Sequence, residues 1–217
     1  MSSYELVYQK LRENILNGHY KHGDELRETA VGKEIGVSRT PVREALRQLE
    51  LEGLVTIIPN RGALVNGISE QDVQDIYLIR ARLEGLCARM AAERIDESTL
   101  EEMEETMMLT AFHEEQGHYD QLFKLDSRFH SLLYEACKSK ILEHELKIFH
   151  QYVQQVRKNA LKKEARAEQS TKEHMAVMEA IKAHNADEAD RLATRHILNS
   201  IKNHHYTKIE KLLEEQP

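Results

Sequence analysis

Long apolar runs are missing from this 217-residue chain. A stretch such as Leu54-Val55-Thr56-Ile57-Ile58 is broken by Thr56, whereas a membrane-spanning helix needs about 20 apolar residues. The start, Met1-Ser2-Ser3-Tyr4-Glu5-Leu6, shows no basic region followed by an apolar one, so no secretory signal is expected. Cysteine is scarce: Cys87 and Cys137 stand far apart inside helical patterns, which excludes a disulfide scaffold and suits a reducing, cytoplasmic setting. An excess of positive charge is absent too. With 30 Lys+Arg against 37 Asp+Glu and a formal net charge of −7, a generally basic nucleic-acid coat is excluded, but a local basic reading head is not. What the chain does have is 41% hydrophobic residues, enough for a core and too many for a disordered chain.

Glycine and proline are depleted from most of the length. Seven of the nine glycines (Gly18, Gly23, Gly32, Gly36, Gly53, Gly62, Gly67) and two of the three prolines (Pro41, Pro59) lie within the first 67 residues. Those residues turn often, while residues 68–217 can run in long helices. Charge divides in the same way: residues 1–67 hold nine basic and nine acidic side chains, leaving 21 basic and 28 acidic for the rest. The expected boundary is Asn66-Gly67-Ile68. A hydroxyl followed three residues later by a carboxylate marks helix starts at Ser2/Glu5, Ser69/Asp72, Ser98/Glu101 and Ser170/Glu173, and Asn185 repeats the device. With periodic segments beginning near Tyr119 and Ser139, residues 68–217 are expected to form an all-helical bundle of about six helices.

In the first part, Tyr4, Val7, Leu11 and Ile15 form one helical stripe, and a short helix from about Glu28 to Ile35 ends at Gly36, a natural C-cap. Then comes Val37-Ser38-Arg39-Thr40-Pro41-Val42-Arg43-Glu44-Ala45-Leu46-Arg47. At 100° per residue, Arg39, Arg43 and Arg47 share one face and Val42, Ala45, Leu46 and Leu49 the opposite one. Two helices joined by a tight turn, the second offering hydroxyls and arginines, describe a helix-turn-helix. After Gly53, two β-rich runs flank Pro59-Asn60-Arg61-Gly62 and read as a hairpin that presents Arg61 at its tip. The bland alternative is a small α/β domain with incidental surface arginines.

The second part hides polar residues where apolar ones belong. Arg80 falls on a stripe with Val73, Ile76, Leu83, Cys87 and Met90. A buried guanidinium needs a partner; Glu84, one turn on, and an anionic ligand are equally good answers from sequence alone. Asp126 shares an inward stripe with Leu122, Phe129 and Leu133, and His130 follows one turn later. His174 shares a face with Val177, Met178 and Ile181, and His196 follows Leu192. Three helices thus aim Asp126, His130, His174 and His196 inward. A divalent cation would relieve the cost of burying the carboxylate, and zinc suits the donors, with nickel, manganese or iron as alternatives. Each signal is weak singly; His113, His118, His144, His150, His184, His204 and His205 offer no comparable case, and Cys87 and Cys137 read as packing residues.

The segments Ile35-Gly36-Val37-Ser38-Arg39-Thr40-Pro41-Val42-Arg43-Glu44-Ala45-Leu46, Leu51-Glu52-Gly53-Leu54-Val55 and Pro59-Asn60-Arg61-Gly62-Ala63 closely resemble the winged helix-turn-helix of the GntR family of bacterial transcription regulators. That resemblance implies DNA contacts at Ser38, Arg39, Thr40, Arg43, Arg61 and Gly62. Thr29, where many members carry arginine, and Gly32, where they carry alanine, are departures. Residues 72–210, with Ile79-Arg80-Ala81-Arg82-Leu83-Glu84, Asp126-Ser127-Arg128-Phe129-His130, Glu173-His174 and Arg195-His196, resemble the FCD effector domain of the FadR-type subfamily. This second resemblance implies a divalent metal on Asp126, His130, His174 and His196, a small organic or sugar acid effector contacted by Arg80, and a homodimer. The complete quartet points away from the metal-free, acyl-CoA-binding branch. The expected function is a ligand-responsive regulator, acting as a repressor on a palindromic double-stranded operator. A helical-bundle metalloenzyme, and a regulator with a purely structural or sensed metal, are the rival readings.

Overall fold

The computed structural model describes residues 2–59 and 61–202. Asn60 of the expected hairpin turn, and His204 and His205, lie outside the described residues. The chain divides into two compact units, Met1–Asp72 and Val73–Pro217, a few residues beyond the sequence-based boundary at Gly67.

In the first unit, helix α1 (Ser3–Leu16) starts with a complete capping box between Ser2 and Glu5 and buries Val7, Leu11 and Ile15. A two-residue strand β1 (Glu25–Leu26) leads into α2 (Glu28–Ile35), which ends at Gly36 in the left-handed region at φ +81°. Helix α3 (Arg39–Leu51) buries Val42, Ala45, Leu46 and Leu49, the face that the periodicity assigned to packing. Ser38 occupies its N-cap position, but its side chain makes no capping hydrogen bond. Strands β2 (Val55–Ile58) and β3 (Gly62–Val65) form the hairpin, and β1 adds to the far edge in the order β1-β3-β2. All pairings are antiparallel, with Leu26 opposite Ala63 and Ile57 opposite Ala63 on the other side. Gly32 explains its own departure from the family pattern. A Cβ there would sit 2.9 Å from the Val37 carbonyl oxygen, so the turn between α2 and α3 closes against bare backbone. Gly62 is more constrained still: at φ +118° a Cβ would lie 2.2 Å from the Leu26 carbonyl oxygen, across the β1–β3 pair.

Seven helices are described beyond the hairpin: α4 (Glu70–Arg94), α5 (Glu97–Glu115), α6 (Tyr119–Ala136), α7 (Lys140–Tyr152), α8 (Gln154–Leu161), α9 (Glu164–Lys182) and α10 (Ala186–Lys202). Their core joins Cys87, Ala88 and Ala91 of α4 to Met103 and Met107 of α5, Phe129, Leu133 and Tyr134 of α6, and Val177 and Ile181 of α9. Two expected helix starts are displaced. The cap of α5 is Asp96, which accepts from the Thr99 amide at 2.8 Å, and the Ser98 hydroxyl itself donates to Asp96. Ser170 is buried in the middle of α9, because the alanine-rich residues before it continue the helix and no amide is left for it to cap. On α4, Val73, Arg80 and Cys87 of the expected stripe are buried, but the buried face extends away from its other members. Tyr77, Ala81, Glu84 and Ala88 are buried, while Ile76, Leu83 and Met90 are only partly so. At Gly85 a Cβ would meet Thr194 Oγ1 at 2.2 Å, which sets α4 close against α10.

Candidate nucleic-acid interface and metal centre

Within the first unit, a concave face of about 710 Å³ is lined by Arg39, Arg43 and Arg47 of α3, Arg61 and Gly62 of the hairpin, and Arg27 and Thr29 around the start of α2. Arg39, Arg43 and Arg61 are exposed. Ser38 and Thr40 are exposed at the first turn of α3 but do not line this concavity. Arg47 lines it as its place on the arginine face of α3 implied, and Arg27 is an addition. So is an unexpected acid: Glu28, in the first turn of α2, accepts from Arg43 Nε and Nη2 at 2.8 Å each and from Arg39 Nε and Nη2 at 3.3 and 3.1 Å. The two arginines, Arg43 foremost, hold the Glu28 carboxyl down to about 2. Planar, fork-shaped guanidiniums on a helix face and a turn tip suit phosphates and guanine edges.

Within the second unit, His130 of α6, His174 of α9 and His196 of α10 converge and are all buried. One ligand atom from each lies within 4.8 Å of the others, and the Nε2 atoms of His174 and His196 face each other at 3.0 Å. Ligands on a tetrahedral zinc with bonds of about 2.0–2.1 Å stand about 3.3 Å apart, so the trio needs little adjustment to hold an ion. Burial pushes His174 well below its ordinary value and His196 down to about 4, which keeps both imidazoles neutral and their lone pairs available. Carboxylates stand behind two of the rings. Glu173 accepts from His196 Nδ1 at 2.8 Å, and Glu84 Oε2 lies 2.9 Å from His130 Nδ1, although not aligned as a hydrogen bond. Such outer carboxylates fix the tautomer that turns Nε2 toward a metal. Phe129 stacks on the His174 ring with centroids 4.2 Å apart.

Asp126 is placed beside the trio but is otherwise engaged. Its Oδ1 is 3.8 Å from His174 Nε2, while its Oδ2 accepts from Arg157 Nη2. Arg80 is paired with Glu84, the nearer of the two partners expected for it: Arg80 Nε donates to Glu84 Oε1 at 3.0 Å, and the Tyr134 hydroxyl donates to the same oxygen at 2.8 Å. Yet Arg80 Nη1 is buried without a hydrogen-bond partner, and Arg80 lines the same small cavity, of about 20 Å³, as Asp126, His130 and His196. Three arginine–carboxylate pairs, Arg80–Glu84, Arg157–Asp126 and Arg166–Glu173, therefore surround the three imidazoles.

Sequence reasoning missed His150, Arg157 and Arg166. His150 lies with Glu84 and His130 in a second ligand-like trio. Arg157 Nη1 is 2.5 Å from its Nε2 and Arg80 Nη2 3.5 Å from its Nδ1, so two guanidiniums crowd that trio and a second cation would be repelled. His150 and Arg157 reach the site because the chain breaks at Val153 between α7 and α8. No local periodicity announces that break.

Residues 3–65 match the family described as bacterial regulatory proteins, gntR family, and residues 75–199 match the FCD domain. The chain is 30% identical over 213 residues to the HTH-type transcriptional regulator YdhC of Bacillus subtilis, a match covering 98% of this chain and 93% of that protein. It is 30% identical over 191 residues to the HTH-type transcriptional repressor RspR of Escherichia coli, covering 88% of this chain and 84% of the relative. Among solved structures, E. coli McbR/YncC superposes with a TM-score of 0.74 at 20% identity, over 94% of this chain and 97% of that one, which shows a common fold.

Proposed function

Because the chain belongs to the GntR family of bacterial regulators and carries an FCD domain, we propose that it binds a palindromic operator as a homodimer and represses transcription, with a metal-containing pocket that senses a small carboxylate or sugar acid. It is a transcription regulator and not an enzyme, as its family and relatives are, and this removes the metalloenzyme reading. Among the described residues, no helix is long and apolar enough to cross a membrane, and a cytoplasmic location agrees with a DNA-binding role. A relative named a transcriptional repressor supports the direction of control.

One observation carries the sensing half: three buried imidazoles converge beside a guanidinium nitrogen, Arg80 Nη1, that has no partner. In this reading His130, His174 and His196, with Asp126, hold the ion, and zinc fits an all-nitrogen-and-oxygen set of this kind. The ion would supply a Lewis-acidic position for one carboxylate oxygen of the effector. The chain's own residues do the rest. Arg80 offers its free Nη1 to a second oxygen, Glu84 holds Arg80 and backs His130 at once, and Glu173 orients His196. A cavity of about 20 Å³ admits roughly one water, so an acid of any size enters only when side chains move. Arg157, which clasps Asp126, lines that cavity. Arg80 and Glu84 belong to α4, which follows Asn66-Gly67-Ile68 directly, so chain connectivity gives a displaced α4 a route toward residues 1–67.

A duplex selected from a randomised pool supplies the operator probe. Fluorescence anisotropy on that duplex is then measured with the protein as purified, after chelation, and after zinc re-addition with and without hydroxy, sugar and dicarboxylic acids. The proposal expects a stoichiometric ion and an acid-dependent change in DNA affinity that vanishes on chelation. If chelation removes no ion and no acid changes affinity, the sensing reading falls. An ion that alters affinity with no acid present would favour the metal itself as the signal.

A further inference from the structure

Glu28 presents an oddity on a face read as meeting DNA: a carboxylate among arginines, where phosphate repulsion should disfavour it. Its side chain is 18% exposed, while those of Arg39 and Arg43 are 62% and 50% exposed. The acid therefore lies behind the arginines rather than beside them. The bonding pattern is specific. Both arginines give Glu28 the same edge of the guanidinium, the Nε and Nη2 side, and neither uses Nη1 in any described hydrogen bond. A guanidinium has two edges that can form a bidentate pair: one made by Nε and Nη2, the other by Nη1 and the outer hydrogen of Nη2. With the first edge taken, each arginine keeps only the second for a base.

We propose that Glu28 is a specificity-determining positioning residue, which grips the inner edge of both reading arginines so that each meets DNA only through its outer Nη edge. That edge matches guanine O6 and N7 in the major groove. Glu28 can hold both because it occupies the first turn of α2, where a negative charge is favoured, and because the tight turn at Gly36 brings α3 back across it. Two consequences follow. The rotamers of Arg39 and Arg43 are set before DNA arrives, which reduces the entropy lost on binding. The single negative charge also offsets one of the two positive charges, so random DNA is held more weakly and with a shallower salt dependence than two free arginines would give.

This inference rests on residues 1–67 reading DNA, and its test separates the two. Full-length wild type, Glu28→Gln, Glu28→Asp and Arg43→Ala are each passed through selection on a randomised duplex pool. The enriched and random duplexes are then titrated over a range of salt. Thermal melting accompanies each variant. For Glu28→Gln we expect tighter binding to random duplex, a salt slope steeper by up to about one, and a loss of about tenfold in the ratio of selected to random affinity, with flattened guanine positions. Glu28→Asp keeps the charge but withdraws the carboxylate by one methylene. It should leave random-DNA binding and its salt slope unchanged while still flattening the guanines, so it carries the test if Glu28→Gln does not fold. A merely structural pair would lower the melting temperature and leave the base profile and salt slope alone, and that result would overturn the proposal. If wild type enriches no sequence, the DNA-reading assignment falls and Glu28's role falls with it. If wild type and Arg43→Ala differ but both Glu28 variants keep the wild-type profile, only the Glu28 proposal is lost.

Discussion

The two units use the same chemical pair, guanidinium with carboxylate, at opposite ends of the burial scale. On the face proposed to read DNA, Glu28 pairs with arginines that are half exposed. In the helical bundle Arg80 and Glu84 pair at 1% exposure each. An exposed pair is worth about 0–1 kcal/mol to stability, so its value must be sought in what the free edge of the arginine does next. A buried pair adds little net stability while complete, because desolvation offsets the attraction, but breaking it leaves an uncompensated charge and costs about 3–5 kcal/mol. The same motif is therefore a device for aiming in one unit and a structural commitment in the other.

Four measurements break or sharpen that contrast. The largest effect is expected for Glu84→Ala, which strands the Arg80 guanidinium and removes the carboxylate behind His130: urea denaturation should show a loss of about 3–5 kcal/mol. A loss below about 1 kcal/mol would mean that water or another acid reaches Arg80. Arg39→Ala or Arg43→Ala should cost about 1–3 kcal/mol in affinity for the selected operator while leaving stability nearly unchanged; equal affinity on that duplex would remove the arginine from the reading set. Glu173→Gln keeps the shape behind His196 but weakens its acceptor, and calorimetric titration with zinc should show affinity reduced about 10- to 100-fold. Unchanged affinity would show that the ion ignores the carboxylate behind that ring. The smallest effect concerns acid. The Glu28 carboxyl titrates at about 2 in the folded chain and at about 4.3 when unfolded. Its stabilising contribution is thus complete above the unfolded value and disappears as pH falls through the folded one. The stability difference between wild type and Glu28→Gln, measured by denaturant titration, should be constant above about pH 5 and vanish between about pH 4 and 2.

What could be read from the sequence follows how local each signal is. The faces of α3, the C-cap at Gly36 and the hairpin after Gly53 all rest on neighbours within a turn or two, and the structure repeats them. The Arg80–Glu84 pair was legible for the same reason, being four residues apart on one helix. Ser170 shows how a local signal misleads: hydroxyl and carboxylate have capping-box spacing, but Ala165 and Ala167 carry the helix straight through them. The rest needed tertiary knowledge. Glu28 meets Arg39 and Arg43 across a turn, 11 and 15 residues away, where no periodicity applies. Asp126 was read as free to bind a cation, yet its counter-charge, Arg157, comes from a helix whose direction is set by a break at Val153. Composition cannot say which of twelve histidines such a break will turn inward.

The glycine at position 62 deserves to be read as a joint rather than as a fingertip. Its missing side chain lets the hairpin lie flush on Leu26 and on the Cα of Arg27, immediately before the residue that anchors both reading arginines. Any larger residue there would lever the wing away from the start of α2 and loosen Glu28's hold at a distance. Lost operator binding in an alanine scan at this position would then report a sprung hinge, whether or not Gly62 ever touches a phosphate.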